Sequence, residues 1–238
     1  LDITASSVIP LLISSITATT IALTLRGFDP IIAVTLTPDD AFVLKQIPLF
    51  ILLGVLCGLM AYYFTSVNAR VGKLFGSIQS QYKKWALGGI ILGVLIFIFP
   101  PLYGEGYEAF VSLMHGQATA LFDNSLFYKF SSNDWVLLIY VIAIMFFKVI
   151  AMSTTNAAGG VGGTFAPSLF VGAFMGATVA LAFNTIFGWH LSLVSYTLVG
   201  MAGVMSGVMK APLTSIFLIA ELSNGYGLFI PLMITACI

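Results

Sequence analysis

The chain has 238 residues, 59% of them hydrophobic and 8% charged, with a mean hydropathy of +1.06. Soluble domains run at roughly 45–50% apolar and roughly 25% charged, so this composition belongs to an integral membrane protein. Lys plus Arg and Asp plus Glu number nine each, a formal net charge of zero, and no cationic cluster is interleaved with aromatics, which excludes the electrostatic footprint of a nucleic-acid partner.

Leu1 lies in a Ser/Thr-rich apolar run with no basic region ahead of it, unlike a signal peptide, and a start without Met suggests a piece of a longer protein. Ile3 to Leu25 reads as one membrane helix, with Pro10 near its start and Arg26-Gly27 at its end. Phe28 to Lys45, with Pro30, Pro38 and three aspartates, reads as a polar connection. Pro48 to about Lys73 is a long helix carrying Gly54/Gly58 at small-xxx-small spacing, and Trp85 to Phe99 is another, with Gly89/Gly93 and a stop at Pro100-Pro101. Arg70, Lys73, Lys83 and Lys84 between them form the densest positive charge, which the positive-inside rule places on the cytoplasmic side.

Tyr103 to Glu108 reads as a turn, Ala109 to Phe122 as one short or re-entrant helix, and Asp123 to Asp134 as a loop. Trp135 to Thr155 is strongly apolar but for Lys148. Further helices are expected at Phe165–Phe187, Leu191–Met209, Pro212–Leu222 and from Leu228 onward. The reading is an all-α polytopic bundle of unequal and re-entrant helices, as in transporters built from inverted repeats with discontinuous helices around a midplane site. Cys57 and Cys237 have no Cys-x-x-Cys or Cys/His spacing, so both read as reduced, packed or lipid-side thiols.

The stretch that carries chemistry is Gly159-Gly160-Val161-Gly162-Gly163-Thr164-Phe165-Ala166-Pro167-Ser168. Four glycines let the backbone approach closely, and Pro167 suits a first helical turn. From Val149 to Met209 there is no Asp, Glu, Lys or Arg. A helix starting here therefore aims unpaired N–H groups and a positive dipole end into a low-dielectric space suited to an anion. Small-xxx-small helix packing is the competing reading, because Gly172/Gly176 and Gly203/Gly207 share that spacing. A nucleotide loop is excluded, because no Gly-Lys-Ser/Thr follows.

Gly162-Gly163-Thr164-Phe165-Ala166-Pro167 with Ser168 to Ala173 resembles the signature of the CLC family of chloride channels and chloride/proton exchangers. Lys210-Ala211-Pro212-Leu213-Thr214-Ser215-Ile216 through Glu221, then Pro231 to Thr235, resembles the same family in the same order. Ala157-Ala158-Gly159 stands where the family usually has Gly-Ser-Gly. The resemblance implies a partial CLC-type anion-transport domain over residues 1–238, the last helix of one half plus most of the other, with upstream helices and a final helix outside it. It implies chloride as ligand, bound by backbone N–H groups within Gly162, Gly163, Thr164, Phe165, Ala166 and Pro167, and no other cofactor. A homodimer within the lipid bilayer is implied as well, with Leu213 and Phe229 as interface candidates, and a bacterial inner membrane is the expected location. The alternatives are a packing or assembly fragment inactive by itself, and another inverted-repeat anion carrier.

Lys148 either snorkels from near a helix end or contributes electrostatics to an anion pathway. Glu221 reads chiefly as a helix-end carboxylate and His190 as an interfacial polar residue. No Ser/His/Asp set, carboxylate pair or metal constellation is present in the sequence, so an enzyme is not expected.

Overall fold

Backbone polar groups surrounded by apolar side chains and lipid must bond within their own segment, and long apolar runs therefore become helices. The computed structural model describes residues 5–26, 40, 42–123, 125–130, 133–223 and 225–238. Among these run α1 Ala5–Arg26, α2 Ile47–Gly76, α3 Gln81–Ile98, α4 Tyr107–Met114, α5 Asp134–Ala157, α6 Phe165–Phe187, α7 Leu193–Met209, α8 Pro212–Leu222 and α9 Phe229–Cys237, with short 3-10 turns and no strand. By length and composition α1, α2, α3, α5 and α6 can cross a membrane, while α7 and α8 are apolar but shorter. This is the all-α membrane architecture of unequal helices that the sequence predicts.

α1 belongs to a unit of its own, Leu1–Ala33. Its Thr17, Thr20 and Thr24 hydroxyls each donate to the carbonyl four residues earlier, which satisfies these polar groups within the helix itself. The connection predicted for Phe28 to Lys45 lies largely outside the described residues.

In the unit Val34–Ile238, α6 and α7 form the closest helix pair. A Cβ on Gly172 would run into the Gly200 carbonyl, and one on Gly200 into backbone atoms of Gly172 and Gly176. Backbones can meet this closely only across small residues, and in lipid such packing replaces the hydrophobic effect as the force between helices. The turn between them is tied by Asn184, whose amide donates to the Leu191 carbonyl at 3.0 Å and accepts from the Leu191 N–H at 2.8 Å. Ser192 caps α7 by accepting from the Ser195 N–H at 3.1 Å. Asp40 joins this cap: the Ser192 hydroxyl donates to its carboxylate and the Ser195 hydroxyl to its carbonyl.

α2 packs across the same pair. Phe50 stacks on Tyr196 with ring centroids 4.8 Å apart, and Gly203 of α7 leaves room for Cys57 of α2 and Thr235 of α9. Cys57 and Cys237 are both free thiols, the first buried and the second exposed. Two sequence expectations change. Ala109–Phe122 is not one helix: α4 stops at Met114, Gly116 turns the chain at φ +73°, and Ala118–Phe122 is a 3-10 turn. On α3 it is Gly88 that meets a neighbour, the Ala158 side chain, while Gly89 and Gly93 face open space.

Candidate functional site

α5 ends in a Schellman motif. The Gly160 N–H donates to the Thr155 carbonyl at 2.9 Å and the Gly159 N–H to the Asn156 carbonyl at 3.3 Å, with Gly159 at φ +104°, which L side chains rarely adopt. Gly159 and Gly160 thus serve to turn the chain out of α5. Gly162 and Gly163 carry it into α6, which begins at Phe165 with Thr164 as N-cap.

The Ser168 N–H reaches the Thr164 carbonyl at 3.0 Å and starts the helical ladder. The amides of Thr164, Phe165 and Ala166 precede that bond and reach no backbone acceptor among the described residues, and Pro167 has no N–H to offer. The Thr164 side chain makes no cap: its hydroxyl points to the Met209 sulfur at 3.5 Å. The Ser168 hydroxyl is likewise occupied, donating to the Phe165 carbonyl at 2.7 Å. What this helix start offers is therefore backbone donors rather than side-chain groups.

A cavity of about 580 Å³ lies against this helix start. Gly162, Gly163, Phe165, Ala166 and Pro167 line it, joined by Asn156 and Lys148 of α5 and by the segment Leu102 to Glu105 with Tyr107. Of the six loop residues read from the sequence, Thr164 alone is not on the cavity wall. Lys148 and Glu105 are the charged residues of the lining. The structure does not place Leu213 and Phe229 there: Leu213 is 70% exposed on α8, and Phe229 is half-buried against the rings of Phe217 and Tyr226. Glu221 and His190 are exposed, in line with the plainer reading of each.

Lys148 does not snorkel. It is 3% exposed, and its ammonium donates to the Leu102 carbonyl at 3.3 Å and the Gly104 carbonyl at 2.9 Å while lying 4.5 Å from the centroid of the Phe170 ring. A buried charge needs such partners, and here two carbonyls and an aromatic face supply them. The lysine thereby staples the chain after Pro100-Pro101 onto the cavity.

Phe170 holds the same segment from the other side. Gly106 sits at φ +78°, and a Cβ there would overlap the Phe170 ring. Sequence reasoning missed this wall. Its signal was the pair Gly104 and Gly106 after two prolines, both glycines at positive φ. Asn156 was also missed: its amide nitrogen contacts the Met152 sulfur at 3.2 Å, and its side-chain oxygen is buried without a hydrogen bond among the described residues.

The profile of the family described as voltage gated chloride channel matches residues 1–238. Among curated proteins, chloride channel protein CLC-e of Arabidopsis thaliana is 30% identical over 93% of this chain and 31% of its own length. Chloride channel protein CLC-f of the same plant is 27% identical over 94% of this chain and 28% of its own. The H(+)/Cl(-) exchange transporter ClcA of Salmonella newport is 28% identical over 88% of this chain and 41% of its own. The chain thus spans well under half the length of these relatives, which are named as channels and exchange transporters. Matched from end to end by the profile, and with an apolar helical fold around a glycine-loop helix start, the chain belongs to the voltage-gated chloride channel family.

Proposed function

We propose that this chain supplies part of a chloride-transport pathway, in which the N–H groups of Thr164 and Phe165 hold a partly dehydrated chloride while Gly162, Gly163, Ala166 and Pro167 shape the space around it. The observation that carries the reading is the set of helix-start amides without backbone acceptors beside a cavity. Backbone dipoles bind an anion without a full opposing charge, so the ion can leave again, as conduction requires. Chloride is the proposed ligand, and no cofactor enters the proposal.

The remaining ligands of the site are proposed to lie in chain outside residues 1–238, so that this segment alone is inactive. In the lipid bilayer we propose a homodimer, with Leu213 and Phe229 at the contact between copies. A bacterial inner membrane is the proposed location, supported by the Salmonella relative.

Chloride titration by calorimetry on the full-length protein tests the site. Thr164→Val removes a hydroxyl whose contact is the Met209 sulfur and keeps binding near wild type. Replacing the amide of Thr164 or Phe165 by an ester removes a donor to a charged partner, about 1.5–3 kcal/mol, and weakens binding about ten- to a hundred-fold. The backbone reading is wrong if Thr164→Val abolishes binding while both ester variants bind like wild type.

A further inference from the structure

Glu105 stands on the wall between two cavities. One is the cavity of about 580 Å³ at the start of α6. The other, about 790 Å³, is lined by Pro100, Pro101, Glu108, Ser112 and Asp123 among others. Tyr103, Gly104, Glu105 and Tyr107 belong to both linings.

The residues on either side of Glu105 are pinned. The Gly104 carbonyl accepts from Lys148 at 2.9 Å, and Gly106 is pressed against Phe170 in a backbone conformation closed to other residues. A carboxylate on an untethered surface turn would swing into solvent. Here the backbone that carries it is fixed on the wall the two cavities share.

The charges around Glu105 give this placement a consequence. α5 presents Lys148, which lines the same cavity as Glu105. α4 presents Tyr107, which shares both linings with Glu105, together with Glu108 on the larger cavity. Tyr103 belongs to the same turn, and Asp123 lies across the larger cavity. α3 and α6 contribute Leu92, Ile96 and the loop-to-helix backbone, without a charged side chain. An ionised Glu105 therefore cancels the Lys148 charge in the space where an anion meets the α6 amides. An uncharged side chain at this position leaves that positive charge unopposed.

Resting on the chloride-site reading above, we propose that Glu105 is a specificity-determining residue for anion occupancy: its ionised carboxylate weakens anion binding at the α6 N-terminus, and its neutralisation strengthens that binding. One charge removed at cavity distance, with the intermediate effective dielectric of a partly wet site, changes affinity by about tenfold.

The test is chloride titration by calorimetry, with potassium chloride as the probe, on full-length protein at about pH 7.5, where carboxylates are ionised. Glu105→Gln binds about tenfold more tightly than wild type, and Glu108→Gln, which alters the larger cavity only, binds like wild type. Glu105→Ala removes the same charge and is read in the same way should the glutamine variant not be monodisperse. Glu105 variants that bind chloride like wild type at pH 7.5 overturn the proposal and leave the backbone site standing. A wild type that binds no chloride overturns the backbone site and this proposal with it.

Discussion

No side chain fits at Gly176 of α6, because a Cβ there would be driven into the carbonyl of Tyr196 on α7. The obstacle is backbone, so relief requires the two helices to separate along the tightest contact in the fold. Gly176→Ala is expected to destabilise by about 1–3 kcal/mol, the usual cost of overpacking. Gly58→Ala is the control: it meets nothing within 4 Å, and its higher helix propensity favours it by up to about 1 kcal/mol. Thermal unfolding of the detergent-solubilised full-length protein, followed through loss of the monodisperse peak, separates them. Equal midpoints for both variants would show that the helix pair tolerates separation.

Lys148→Met removes the donor that holds the carbonyls of Leu102 and Gly104 while keeping most of the side-chain volume. Each lost bond to the ammonium is worth about 1.5–3 kcal/mol. The amides of Leu102 and Tyr103, which donate to Phe99 and Pro100 at 3.0 Å each, should therefore exchange hydrogen about tenfold faster or more. Peptide-resolved hydrogen exchange over residues 99–106 reads this, and unchanged protection would mean that Gly106 and Phe170 hold the segment without the lysine.

Tyr107 reports on its carboxylate neighbour. Burial raises the pKa of its phenol above the ordinary value, and the charge of Glu105 and a hydrogen bond to it raise it further. A group whose folded-state pKa is raised contributes stability that is fully present below its unfolded value, about 10 for tyrosine, and is lost as pH rises through the folded value. The tyrosinate absorbance of wild type minus that of Tyr107→Phe should titrate above about 10. Glu105→Gln should move that midpoint down, and a midpoint that stays put would show that the carboxylate does not reach the phenol.

The proposed contact between copies predicts that Leu213→Trp combined with Phe229→Trp converts the detergent-solubilised protein from dimer to monomer, as read by light scattering on the eluting peak. Lipid-phase association depends on close packing, and two added indoles prevent it. A protein that stays dimeric places the interface elsewhere.

Helix starts and stops were legible where the backbone itself demanded a residue type. Phe165–Phe187 and Pro212–Leu222 agree with the sequence reading at both ends: Pro167 and Pro212 suit first turns, and Gly188 closes α6 at φ +65°. The break after α4 was missed, since Gly116 interrupts a run whose apolar residues continue past it. Glycine spacing identified helices that could pack closely but did not say which face meets a partner, and on α3 the contacting residue is Gly88. The position of Lys148 was evident as an anomaly in an apolar span. Its partners were not, because they are main-chain carbonyls 46 and 44 residues away, which leave no trace in side-chain pattern.

The inward stripe of α2 has an implication in time. Phe50, Leu53, Cys57, Met60, Ala61 and Phe64 are all buried, yet what they pack on includes Tyr196, Gly203 and Gly207 of α7. Thr235 of α9 donates to the Phe50 carbonyl from 185 residues downstream. A ribosome adds roughly 5–20 residues per second, so α2 leaves it on the order of 10–30 s before those partners exist. For that interval its packing stripe must rest against lipid or the insertion machinery, and the final fold displaces those temporary neighbours.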